Sequence, residues 1–152
     1  MSARRLAGAL GGLCGRDKDG RVILRAFAIW GLLLILAILN GGVRDLLITP
    51  KIGDPAGHII STVSLCVLIL LVSYFSIRWI NPTGSLDPLI VGSFWVTLTV
   101  AFEFLAGHYV FGNSWQKLLA DYNVMQGRIW ILVLVADFTA PLWAAKVRLK
   151  HS

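Results

Sequence analysis

Charge is what this chain has least of. Only 14% of its residues are charged against 57% hydrophobic, and the charges crowd outside four long apolar stretches. So little charge cannot coat a soluble globule, and the composition is that of a membrane protein. Cysteine is scarce too. Cys14 falls in a basic leader and Cys66 inside an apolar run, so neither a disulfide framework nor a metal-binding cysteine pair is spelled out. Catalytic signatures are missing as well. The glycines between residues 8 and 15 have no strand before them and no Lys-Ser/Thr after them, which excludes a phosphate loop. Ser61, Ser64 and Ser114 lack triad companions, and neither Cys-x-x-Cys-His nor His-Glu-x-x-His occurs. An enzyme of the soluble kind is therefore not expected.

What is present is apolar length. A helix needs roughly 20 mostly apolar residues to cross about 30 Å of hydrocarbon. Four such runs, at about 22–48, 58–79, 86–107 and 126–147, take up nearly all of the 152 residues and leave no room for a separate soluble domain. The expected fold is all-α, a four-helix transmembrane bundle running up and down. Residues 1–21 form a basic leader, 22–148 one membrane domain and 149–152 a basic tail. The leader is only weakly like a signal peptide, because its apolar part from Leu6 to Leu13 is short and glycine-rich.

The basic surplus, 14 Lys+Arg against 8 Asp+Glu, would suggest nucleic acid in a soluble chain. Here it reads as topology, and no nucleic-acid partner is expected. Ten of the basic residues (Arg4, Arg5, Arg16, Lys18, Arg21, Arg25, Arg78, Lys146, Arg148 and Lys150) fall on one side of the spans. Arg44, Lys51, Lys117 and Arg128 fall on the other. Positive charge marks the cytoplasmic side, so both termini are expected there, with the leader's arginines facing anionic lipid.

Polar residues inside the runs mark helix faces. Pro50 is expected to stop the first span, and the loop from Lys51 to Gly57 reads as a turn. On the second span His58, Ser61, Thr62, Leu65, Ile69 and Ser76 recur at helical spacing and should face the bundle. On the third, Gly92, Val96, Thr99, Glu103 and Gly107 share a small, polar face suited to close helix contact. Between the third and fourth spans, Trp115, Leu118, Leu119 and Tyr122 fall at i, i+3, i+4 and i+7. They predict a short amphipathic helix over about 114–123 at the membrane interface or as a lid on the bundle.

Ionisable groups in a bilayer cost about 2.5–3.5 kcal/mol each on insertion scales, so each needs a partner or a purpose. Glu103 lies about one turn inside the outer boundary, level with Arg44 and then Arg128, and a buried ion pair fixing helix register is the expected arrangement. Asp121 joins that outer cluster from the amphipathic helix. Asp137 lies midway between Arg128 and Lys146 with no basic residue at its depth. A carboxyl isolated there is expected to be neutral, donating to Thr97 or Thr99. Pro141 follows one turn later and frees the Asp137 carbonyl, with a kink expected. His58 and His108 should meet at the outer level if the second and third spans pack side by side. Two such imidazoles are the minimum for haem b, or for a divalent metal with help from Glu103 or Asp54.

The runs LAGHYVFGNSW (105–115), LLADYN (118–123) and GRIW from Gly127 resemble those of an uncharacterised group of small four-span bacterial inner-membrane proteins. The resemblance spans about Gly41 to Pro141 and implies a bacterial inner membrane with no known activity attached. AGHIIST at Ala56 to Thr62 is faintly similar to the four-span glutathione-transferase-like enzymes, but their acid and arginine pattern is missing. Three functions stay open. The first is a non-catalytic accessory or structural membrane protein. The second is a small oligomeric carrier, proton-linked or ion-transporting, that uses Glu103 and Asp137, and the third is a haem or metal protein through His58 and His108. The expected partners are the lipid bilayer and either a second copy or another membrane protein.

Overall fold

The computed structural model describes residues 3–82, 84–110, 112, 114–120 and 129–148, with side chains from residue 18 onward except at 117 and 120. Among these residues every regular element is a helix. In chain order they are α1 (Ala3–Val43), a π-helical stretch (Arg44–Ile48), α2 (Thr49–Ile52), α3 (Asp54–Ile80), α4 (Asp87–Leu105), a second π-helical stretch (Ala106–Val110), α5 (Trp115–Ala120) and α6 (Ile131–Arg148). Three continuous helical segments are long and apolar enough to cross a membrane: Lys18–Ile52, Asp54–Ile80 and Asp87–Val110. The shortest, 24 residues, rises about 36 Å at ~1.5 Å per residue, more than a hydrocarbon core requires. Helix α6 has 18 residues and carries Asp137, Lys146 and Arg148 within them.

Pro50 does not end the first helix. It lacks the N–H that would bond Leu46, and the backbone absorbs the gap by widening into the π-helical stretch, where the Thr49 N–H reaches back to the Arg44 carbonyl. Pro50 then sits in the first turn of α2, a position that needs no donor. The expected seven-residue loop shrinks to Gly53. Its φ of 86° lets the chain reverse before Pro55 opens α3. The basic leader also differs from a loose tail, since α1 is helical back to Ala3.

Helix α1 lies against α3, α3 against α6, α6 against α4, and α4 against α1. The four long helices thus form a ring in which the consecutive helices α3 and α4 face each other across the bundle. Their large apolar residues turn outward in number, among them Leu24, Phe27, Ile35, Leu71, Phe75, Ile90 and Val135. Such a girdle suits lipid rather than water.

Beneath a polar cleft of about 230 Å³ at its rim, lined by Lys18, Arg21, Val22, Arg25, Ile80 and Asn81, the half of the bundle nearest the basic residues is close-packed. Trp95 is fully buried, and its indole donates to the Ala26 carbonyl at 2.9 Å, so its own polar hydrogen is satisfied where lipid offers no acceptor. Gly92 lets α4 touch α6, since a Cβ there would collide with the Phe138 carbonyl. Arg25 donates to the Trp79 carbonyl at 2.8 Å. Arg148 donates to the Tyr74 carbonyl at 2.9 Å with its guanidinium 4.7 Å from the centre of the Tyr74 ring. These bonds hold the basic ends of α1, α3 and α6 together. Higher up, Asn40 bridges α1 to α3 by donating to the carbonyl and hydroxyl oxygens of Ser61 at 2.9 and 2.7 Å.

Candidate functional site

Toward the opposite end the bundle opens. Thr99 and Glu103 on α4 and Gly107 in the π-helical stretch after it follow at one-turn intervals, and Trp130 just before α6 with Val133 and Asp137 on it do the same. Both rows line a cavity of about 280 Å³ whose other walls are Trp30 and its neighbours on α1 and Leu65 and Ile69 on α3. Leu118 of α5 reaches over Gly107 to close one side: a Cβ on Gly107 would lie 2.7 Å from Leu118 Cδ2. The amphipathic helix therefore works as a lid through Leu118, while Leu119 stays exposed. Trp115 anchors the lid by stacking on His108 with ring centroids 4.1 Å apart. Tyr122, the last residue of the expected apolar face, lies outside the described residues.

The two membrane carboxylates open into this one cavity. Asp137 is 3% exposed, and a hydrogen-bonded chain ties it to two other helices. The Trp30 indole donates to Thr99 Oγ1 at 3.1 Å, and the Thr99 hydroxyl donates to Asp137 Oδ2 at 2.8 Å. An indole N–H can only donate, which fills one lone pair of Thr99 and leaves its own proton for Asp137. The sequence suggests Thr97 or Thr99 as the partner of Asp137, and the partner is Thr99. Thr97, the other expected partner, turns outward and bonds the Ser93 carbonyl at 2.8 Å. Pro141 is buried inside an unbroken α6 and, having no N–H, leaves the Asp137 carbonyl without its helical donor.

Arg44 forms its ion pair with Asp45, Nε to Oδ1 at 2.8 Å, rather than the expected pair with Glu103. Adjacent residues reach each other without any tertiary constraint, and an exposed pair of this kind is worth about 0–1 kcal/mol. Asp121 and Arg128 lie outside the described residues. His58 heads α3 and His108 lies in the second π-helical stretch, and neither lines the cavity. Since α3 and α4 sit across the ring, the side-by-side packing that would juxtapose them is not formed. Among the described residues no three His, Cys, Asp or Glu side chains gather as a metal site.

Trp30, Phe102 and Leu118 build the site without standing out as site residues in the sequence. A tryptophan in mid-run needs an acceptor for its N–H, and that need was the available signal for Trp30. Fold and site together define an all-helical membrane protein with an acidic cavity set within its apolar bundle. No protein family, curated protein or solved structure matches the chain.

Proposed function

We propose that the chain is a four-span inner-membrane carrier that takes a small apolar-bodied ligand into the cavity between α1, α3, α4 and α6. The observation that carries this reading is the opening of both Glu103 and Asp137 into one cavity under a lid. An Asp137 used only as a strut to Thr99 gains nothing from lining a cavity, whereas the carboxylate of a carrier can hold either a proton or a ligand. The cavity thus favours the carrier over the accessory role that the sequence alone puts first. Helix α6 is the fourth span in this reading. Its single midspan acid is tied to Thr99, while Lys146 and Arg148 reach the head groups at the basic, cytoplasmic end.

Binding is tested by titrating detergent-purified protein with the uncharged quencher 4-bromobenzyl alcohol and following tryptophan fluorescence, since Trp30 and Trp130 line the cavity. Saturable quenching that disappears in Ala37→Phe, which fills the cavity from α1, is expected. Linear quenching, equal in wild type and variant, would overturn the proposal.

A further inference from the structure

We infer that the ligand of this cavity is an organic ammonium ion with a small apolar body. This inference rests on the carrier reading and names the chemistry of its substrate. Three independent features of the cavity converge on it. Its volume of about 280 Å³ equals that of roughly nine waters at ~30 Å³ each, enough for one ring and a short chain. Its wall carries the rings of Trp30, Phe102 and Trp130, with Trp30 and Phe102 edge to face at 6.4 Å between centroids. Its ionisable lining consists of Glu103 and Asp137, with no lysine, arginine or histidine among the described lining residues.

The hydrogen-bond polarity narrows the choice further. The chain from Trp30 through Thr99 runs toward Asp137 and presents it as an acceptor, which suits a ligand whose head donates. Among the described residues Thr99 supplies the one hydrogen bond to that carboxyl, at Oδ2. The other oxygen belongs to a residue 3% exposed that lines the cavity, where a carboxylate needs a further donor or a cation. An ammonium supplies both, and aromatic faces attract the same charge. An anionic ligand would meet the Asp137 carboxylate in a low-dielectric space. Among the described side chains of α5, Leu118 is the one that lines the cavity.

The test compares three probes with the same brominated ring: 4-bromobenzylammonium, 4-bromobenzyl alcohol and 4-bromobenzoate, each titrated against tryptophan fluorescence in the full chain. The ammonium should bind at least about tenfold more tightly than the alcohol, and the benzoate most weakly. Asp137→Asn should erase the ammonium's advantage over the alcohol, with the thermal unfolding midpoint recording that the variant is folded. If Asp137→Asn does not fold, Glu103→Gln and Thr99→Val provide the comparison, each expected to reduce the ratio of ammonium to alcohol affinity by threefold or more. Equal, saturable binding of alcohol and ammonium would overturn the inference and leave the carrier reading standing. So would tighter binding of the benzoate. If none of the three binds saturably, both fall.

Discussion

The two halves of this bundle solve the membrane problem in opposite ways. Toward the basic end, Trp95, Val91, Ile77, Ile80 and Ala144 are buried to within 1% of full enclosure, and every helix junction has a named bond or close approach. Toward the lid end, the same four helices part around a cavity holding two acids. Four helices of this length could have been packed solid throughout. Leaving one half hollow gives up van der Waals contact, and placing ionisable groups there adds an insertion cost, so stability alone does not explain the arrangement.

The contrast can be broken most severely on the solid side. Trp95→Ala should destabilise the protein by about 3–5 kcal/mol, the range for emptying a large buried aromatic site, read as a fall in the unfolding midpoint in detergent. Gly92→Leu comes next. It forces α4 off the Phe138 carbonyl, and overpacking of this kind costs about 1–3 kcal/mol. Arg148→Ala removes the bond to Tyr74 and the ring contact, with an expected loss of about 1 kcal/mol.

Substitutions on the hollow side should leave stability nearly alone and change binding instead. Ala37→Phe should shift stability by under about 1 kcal/mol, because the cavity can take the ring, while abolishing probe binding. If Ala37→Phe were as damaging as Gly92→Leu, the two halves would not differ in the way described. Leu118→Ala should have the smallest effect on unfolding. Its expected signature is faster probe release, measured by stopped-flow fluorescence, with little change in the unfolding midpoint.

Much of the inward face of the helices could be read in advance from periodicity. Ser61, Thr62, Leu65, Ile69 and Ser76 are buried on α3 as their spacing implies, although Ser73 joins them unannounced. The α4 row from Gly92 to Gly107 likewise faces α6 and the cavity. Helical spacing reveals which residues share a face, but not which helix that face meets. The diagonal placement of α3 and α4 separates His58 from His108, and it depends on packing among all four helices. The Trp30–Thr99 bond joins residues 69 positions apart and was invisible for the same reason. Pro50 misleads locally: a proline reads as a stop, yet a π-helical turn followed by a new helix start accommodates it within one continuous segment.

Transport tests the central claim most directly, and the probe should be benzyltrimethylammonium, whose permanent charge prevents it from leaking across lipid. Its uptake would be followed into proteoliposomes carrying wild-type chain, Asp137→Asn, or no protein, with the interior made acidic. The expected result is saturable uptake by wild type and uptake at the protein-free rate by Asp137→Asn. Wild-type uptake no faster than that of empty vesicles, or an Asp137→Asn variant as fast as wild type, would contradict a carrier centred on this carboxylate.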